Sequence, residues 1–387
     1  SMKKHVSVCI HQKKLGGKWR RNHILFKTGC VLMGKVLRSK KVAKIPDASF
    51  QEVPEDFIRM DLAIIKYPPA PTVKEALETS LNSINEYPPS NWHLLAKKIA
   101  TLNNINIENV ILTNGLDEAI DIVTRTFVDP GSKVIIPTPT FSQFEIAALR
   151  QEAIPVKHNF LTKYGYKFDE SIVIETIHKE NVQLVWICNP NNPTGIVERE
   201  KIKEIAEKSE CLIAVDECYY EYFGQTVMDL VVEYDNLLVL RSFSKSYGLA
   251  GLRIGYIAGN PELISQVQKI RQPASVNLLA QVAALAALES SEYYEKLLEK
   301  IKLEKEKICT QLLAFDLEIL PSETNCILIK TFLAKEIFQK LWDNKILIFG
   351  GWDTAEFSGL GDNFLRITVG SPEDNALLLN NLKKILS

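Results

Sequence analysis

Acidic residues are missing from the start of this chain: residues 1–45 carry thirteen Lys or Arg and no Asp or Glu, and the first acid is Asp47. A block of one charge repels itself, so 1–47 reads as a basic N-terminal extension, best taken as a flexible arm. A transit peptide and a basic lid over an anionic ligand are the alternatives. Long apolar runs are missing too. No stretch approaches ~18 uninterrupted apolar residues, which excludes an expected membrane span. The seven cysteines form no paired framework, and Cys188, Cys211, Cys218 and Cys326 sit in apolar runs as small hydrophobes do. Reduced thiols and a cytoplasmic location follow as expectations. Cys9, His11, His23 and Cys30 are separated by one, eleven and six residues, which matches no tight zinc pattern, so no metal is expected. A net charge of -1 argues against nucleic acid or an anionic membrane as partner.

What remains is a chain of 387 residues with ordinary globular composition, long enough for a large domain and a smaller one. From about residue 73, amphipathic helices alternate with short apolar runs: 133–137, 153–156, 182–188, 211–216, 237–240 and 254–258. These runs lack alternation and read as strands buried on both faces of a mostly parallel sheet flanked by helices, an α/β fold. After Pro273 come an Ala-rich helix, a long amphipathic helix and then NCILIK, AKEIFQKLWDN, ILIF and FLRITV, which read as a smaller α+β domain. The expected division is an arm at 48–75 joining the small domain, a large domain at 76–285 and the small domain at 286–387.

In such a sheet, chemistry lies beyond the carboxyl ends of the strands. Four stretches stand there: TNGLDEA (113–119), CNPNNPTG (188–195), VDECY (215–219) and SFSKSYGLAGLR (242–253). Each alone is ordinary turn or helix-start chemistry. Together, and with EYPP, RQPASVNLLAQ, SETNCIL and FLRITVG, they resemble the class I/II aminotransferases of the fold-type-I pyridoxal-phosphate enzymes from about Asp61 to the C-terminus. The subgroup most similar is that of histidinol-phosphate aminotransferase and threonine-phosphate decarboxylase.

The resemblance implies pyridoxal 5'-phosphate as cofactor and Lys245 as the amine of its Schiff base, a role open to a lysine that can lose its proton. It implies that Ser242, Ser244 and Arg253 hold the cofactor phosphate with Gly115, Leu116 and Asp117 at a helix N-terminus, where free N–H groups favour an anion. Asp216 would pair with the pyridine nitrogen, Asn192 and Tyr219 would bond the phenolic oxygen, Phe141 would stack on the ring, and Tyr87 would reach the cofactor of a second subunit in a homodimer. Arg366, with Asn192 and Phe349 beside it, would meet the substrate, its planar fork suiting a carboxylate.

The implied reaction is amino transfer between an amino acid and a 2-oxo acid. Decarboxylation of O-phospho-threonine or O-phospho-serine is the alternative, because the bond held perpendicular to the ring decides which breaks. A non-catalytic cofactor-binding module is a third reading, although 1–45 holds no convincing helix-turn-helix. Departures bear on the substrate: Phe349 stands where the subgroup commonly carries an arginine for substrate phosphate, and no Arg or Lys occurs between Lys345 and Arg366. Phe349, Trp352 and Phe357 point to an apolar or aromatic side-chain pocket.

Overall fold

The computed structural model describes residues 42, 44–46, 53–88, 93–315, 317–353 and 357–386. Nearly all of the basic extension, with Cys9, His11, His23 and Cys30, lies outside the described residues. The described strands and helices all lie within residues 40–387.

Seven strands build the central sheet: β1 (Val110–Thr113), β2 (Lys133–Thr138), β3 (Ile154–Asn159), β4 (Val182–Cys188), β5 (Leu212–Asp216), β6 (Leu237–Ser242) and β7 (Gly255–Gly259). Their order is β1-β7-β6-β5-β4-β2-β3. Every pairing is parallel except the two made by β7. Because β7 runs against its neighbours, its start lies at the edge where the others end: Ser242 and Thr113 both face Gly255 across the ladder. That reversal brings the approach to β7, including Arg253, to the carboxyl edge.

Burial is not uniform across the sheet. Strands β4 to β7 are almost entirely buried, as continuous apolar runs covered on both faces require. The sequence predicts equal burial for the 153–156 run, but β3 is an outer strand of the sheet and mixes exposed with half-buried residues. Strand β1 is fully buried, yet its residues do not announce a strand, since only four apolar-compatible positions precede the Asn114–Gly115 turn.

Beyond the sheet, the Ala-rich helix Leu278–Leu288 starts at Asn277, whose side chain accepts from the Ala280 amide at 2.8 Å. The long helix Ser291–Leu313 buries Leu297, Ile301, Ile308 and Leu312 along one stripe. It leads to a four-stranded antiparallel sheet of β8 (Glu318–Leu320), β9 (Cys326–Lys330), β10 (Phe349–Gly350) and β11 (Phe364–Thr368), ordered β8-β9-β11-β10. The expected strand ILIF is in fact two: Ile346–Leu347 pairs in parallel with Ile58–Arg59, and only Phe349 onward joins β11.

Candidate active site

Asp216 is the last residue of β5 and is fully buried. One carboxylate oxygen accepts from the Cys218 amide at 2.9 Å, and among the described residues no Lys, Arg or His forms an ion pair with it. Burial pushes its pKa up to about 6; bonding to Cys218 opposes that rise, the charge of Asp117 adds to it, and Lys245 opposes it weakly. A buried carboxylate without a cation is costly, and it suits a partner carrying positive charge.

Lys245 lies in the turn after β6. Its Nζ donates to the Leu62 carbonyl at 3.1 Å and lies 5.9 Å from the centroid of the Tyr219 ring. Short bonds fix the turn around it: the Ser244 amide donates to Ser242 Oγ at 3.0 Å, Ser246 Oγ donates to Glu221 at 2.7 Å, and the Tyr222 hydroxyl donates to the Lys245 carbonyl at 3.2 Å. Glu221 and Tyr222 come from the short helix Tyr220–Phe223 that follows Asp216, so the lysine and the carboxylate share supports.

The helix Gly115–Phe127 begins at the same edge; the Asn114 side chain makes no cap bond there, while the Asn114 amide donates to Glu118 at 2.5 Å. Gly115 has φ +74°, and a Cβ there would stand 2.6 Å from Arg253 Nη2, so only glycine lets the guanidinium lie against the first turn. Arg253 itself holds a left-handed backbone at φ 56°, a conformation that costs a non-glycine residue on the order of 1–3 kcal/mol and is kept where it aims a side chain. Its Nη2 donates to Asp117 at 2.7 Å, a half-exposed pair. Free amides, a guanidinium and the Ser242 hydroxyl thus stand at one edge, where an anion is favoured.

A second group reaches in from the antiparallel sheet. Arg366 of β11 is completely buried; Nη1 donates to Asn192 Oδ1 at 3.0 Å and Nη2 to the Asp61 carbonyl. Asn192 in turn donates to the buried Tyr219 hydroxyl at 2.8 Å. Asn191 steadies this loop by donating to the carbonyls of Pro139 and Thr194, both at 2.8 Å. The guanidinium lies 5.0 Å from the Phe349 ring and 4.7 Å from the Phe357 ring.

Most of the residues singled out from sequence therefore meet at the carboxyl edge. Phe141 is half-buried, lies edge-on to Phe144 at 6.1 Å and pairs in register with Phe357. Tyr87 is 91 % exposed on this chain. Trp352 departs from expectation: it packs edge-on to Phe338 at 5.2 Å and covers Gly350, while Phe349, its neighbour in β10, faces Arg366. Sequence reasoning missed Glu221, Tyr222 and the carbonyls of Asp61 and Leu62. The spacing of Tyr222 from Tyr219, one helical turn, is a usable signal; backbone carbonyls carry none.

The family model for aminotransferase class I and II matches residues 56–382. A histidinol-phosphate aminotransferase from Methanocaldococcus jannaschii is 32% identical over 360 residues, covering 89% of this chain and 95% of the relative. One from Thermoanaerobacter pseudethanolicus is 34% identical over 337 residues, covering 87% and 90%. Among solved structures, a histidinol-phosphate aminotransferase from Sinorhizobium meliloti in complex with pyridoxal-5'-phosphate superposes with a TM-score of 0.78 at 24% identity, over 85% of this chain and 90% of that one. The residues present fit this cofactor: a helix start beside Arg253 for a phosphate, a buried Asp216 with no ion pair among the described residues for a protonated ring nitrogen, and Lys245 for an aldehyde. The chain has the fold-type-I architecture, depends on pyridoxal 5'-phosphate, and belongs to the aminotransferase class I and II family.

Proposed function

We propose that this aminotransferase takes the amino group of an amino acid bearing a free α-carboxylate and passes it to a 2-oxo acid, with Lys245 carrying the cofactor and moving the proton at the donor's α-carbon. The observation that carries this reading is the hydrogen-bonded chain Arg366–Asn192–Tyr219, which ends beside Lys245. When bound, pyridoxal 5'-phosphate supplies an aldehyde that accepts the amino group and a protonated ring that withdraws electrons from the donor's α-carbon. Asp216 holds that ring proton, and Ser242, Ser244, Arg253 and the Gly115–Leu116–Asp117 helix start hold the phosphate. Asn192 and Tyr219 would bond the ring oxygen, and Phe141 would lie against the ring. Arg366 grips the carboxylate, fixing the α-hydrogen where Lys245 reaches it.

On this reading residues 76–285 carry the cofactor, while the arm at 48–75 and residues 286–387 bring the carboxylate grip. We also propose a homodimer in the cytoplasm. Exposed apolar side chains crowd one stretch, with Leu81, Ile84, Tyr87, Leu94 and Leu102 all more than half exposed, which supports a covering subunit and a role for Tyr87 across it. The five described cysteines are free thiols, which suits a reducing compartment. Among the described residues no helix is long and apolar enough to cross a membrane.

The test is a half-reaction. The cofactor-loaded chain, given an amino acid and no acceptor, is expected to convert to the pyridoxamine form and release one equivalent of 2-oxo acid. Carbon dioxide release without that conversion would instead support the decarboxylase reading.

A further inference from the structure

The surroundings of Arg366 speak to the substrate's side chain, an inference that rests on Arg366 gripping the donor's anionic group. Phe349 stands opposite Arg366 across the β10–β11 ladder, so the two side chains share a face. Phe357 closes the other side, and the two rings meet edge-on with centroids 4.8 Å apart. Both belong to an apolar cluster with Leu320, Leu328 and Leu360. The same two rings flank the guanidinium at 5.0 and 4.7 Å.

Charge and polarity then decide between substrate classes. Arg366 contributes one positive charge, and no Arg or Lys stands between Lys345 and Arg366 to add a second. A phosphate ester carries roughly -1.5 to -2 at neutral pH. One guanidinium set among phenyl rings leaves that anion with uncompensated charge in an apolar wall, which is costly. A carboxylate is matched by a single guanidinium, in the bidentate geometry arginine favours. Beside such a carboxylate, Phe349 and Phe357, both buried, form an apolar wall whose edge-on packing a further ring can extend.

We infer that the donor is an amino acid with an aromatic or bulky apolar side chain and no phosphate, and that Phe349 and Phe357 determine this specificity. The cofactor-loaded full chain is titrated by calorimetry with 3-phenylpropionate, propionate and inorganic phosphate, and is assayed with phenylalanine, alanine and histidinol phosphate as donors. 3-Phenylpropionate is expected to bind at least ~10-fold more tightly than propionate or phosphate, and kcat/KM for phenylalanine to exceed that for the other two donors by ~100-fold, within reach of a hydrophobic pocket. Phe349→Arg is expected to shift preference toward histidinol phosphate. Equal binding of 3-phenylpropionate and propionate, or histidinol phosphate as the preferred donor of the unaltered chain, overturns the inference. Carbon dioxide release from phenylalanine with the same order of preference would support the pocket while contradicting amino transfer, so the two claims fail separately.

Discussion

Arg366 donates to Asn192 at 3.0 Å, and this bond ties the antiparallel sheet to the loop that follows the central strand β4. An arginine with no exposure inside a strand otherwise reading FLRIT is held by Asn192, by the Asp61 carbonyl and by two phenyl rings. A buried guanidinium held this firmly has a fixed orientation. Lysine at this position keeps the charge but loses the fork. Arg366→Lys is expected to lower kcat/KM for carboxylate donors by about 10- to 150-fold, the equivalent of one charge-assisted hydrogen bond, with KM rising more than kcat falls. Steady-state kinetics across donors checks it; unchanged KM would contradict the carboxylate role.

Asp216 links the site to pH. Its pKa in the cofactor-free chain stands at about 6, raised by burial. A group raised on folding adds stability below its unfolded pKa, near 3.8, and that contribution is lost as pH climbs through the folded pKa. Relative to Asp216→Asn, the cofactor-free protein is therefore expected to lose up to about 3 kcal/mol between pH 4 and 7, at about 1.4 kcal/mol for each tenfold change in the proton equilibrium. Denaturant titrations of both proteins at several pH values measure this. The loaded Asn variant should still be severely impaired in turnover, since it cannot hold a protonated ring nitrogen.

Glu217 and Arg241 form a buried pair beneath the site, with Arg241 Nη2 at 2.9 Å from Glu217 and its guanidinium 3.6 Å from the centre of the Tyr220 ring. Thr226 and Asn103 complete the arginine's bonds. Removing one partner strands the other charge, so Glu217→Gln is expected to cost about 3–5 kcal/mol of stability. Equilibrium unfolding gives the value, and a loss under about 1 kcal/mol would mean the pair relaxes into solvent.

Gly115 tests the phosphate end. An added Cβ would collide with Arg253 and would sit on a left-handed backbone. Gly115→Ala is expected to weaken cofactor binding at least ~10-fold, corresponding to a strain of about 1–3 kcal/mol, in a fluorescence titration of the cofactor-free protein. Unchanged affinity would remove the helix start from the phosphate site.

The seven-stranded sheet is largely legible in the sequence because β4, β5 and β6 are apolar runs buried on both faces, a pattern that survives without tertiary knowledge. The 153–156 run misleads for the converse reason: whether such a run is central or peripheral depends on strand order, which local sequence does not encode. The break in ILIF is invisible because Ile58–Arg59, its other partner, lies almost 300 residues away. At the site, Lys245, Asp216, Asn192, Tyr219 and Arg366 are legible through the joint order of motifs that resembles the aminotransferases, since each stretch alone reads as ordinary turn or helix-start chemistry. The support from Glu221 and Tyr222 reads as ordinary helix until the Lys245 turn folds over it.

Every role assigned at the site depends on Lys245 carrying the cofactor. Borohydride reduction of the loaded chain, followed by proteolysis and mass mapping, tests it most directly. A single stoichiometric label is predicted on Lys245, in the peptide spanning SKSYGLAGLR; a label on any other lysine, or none, would contradict it.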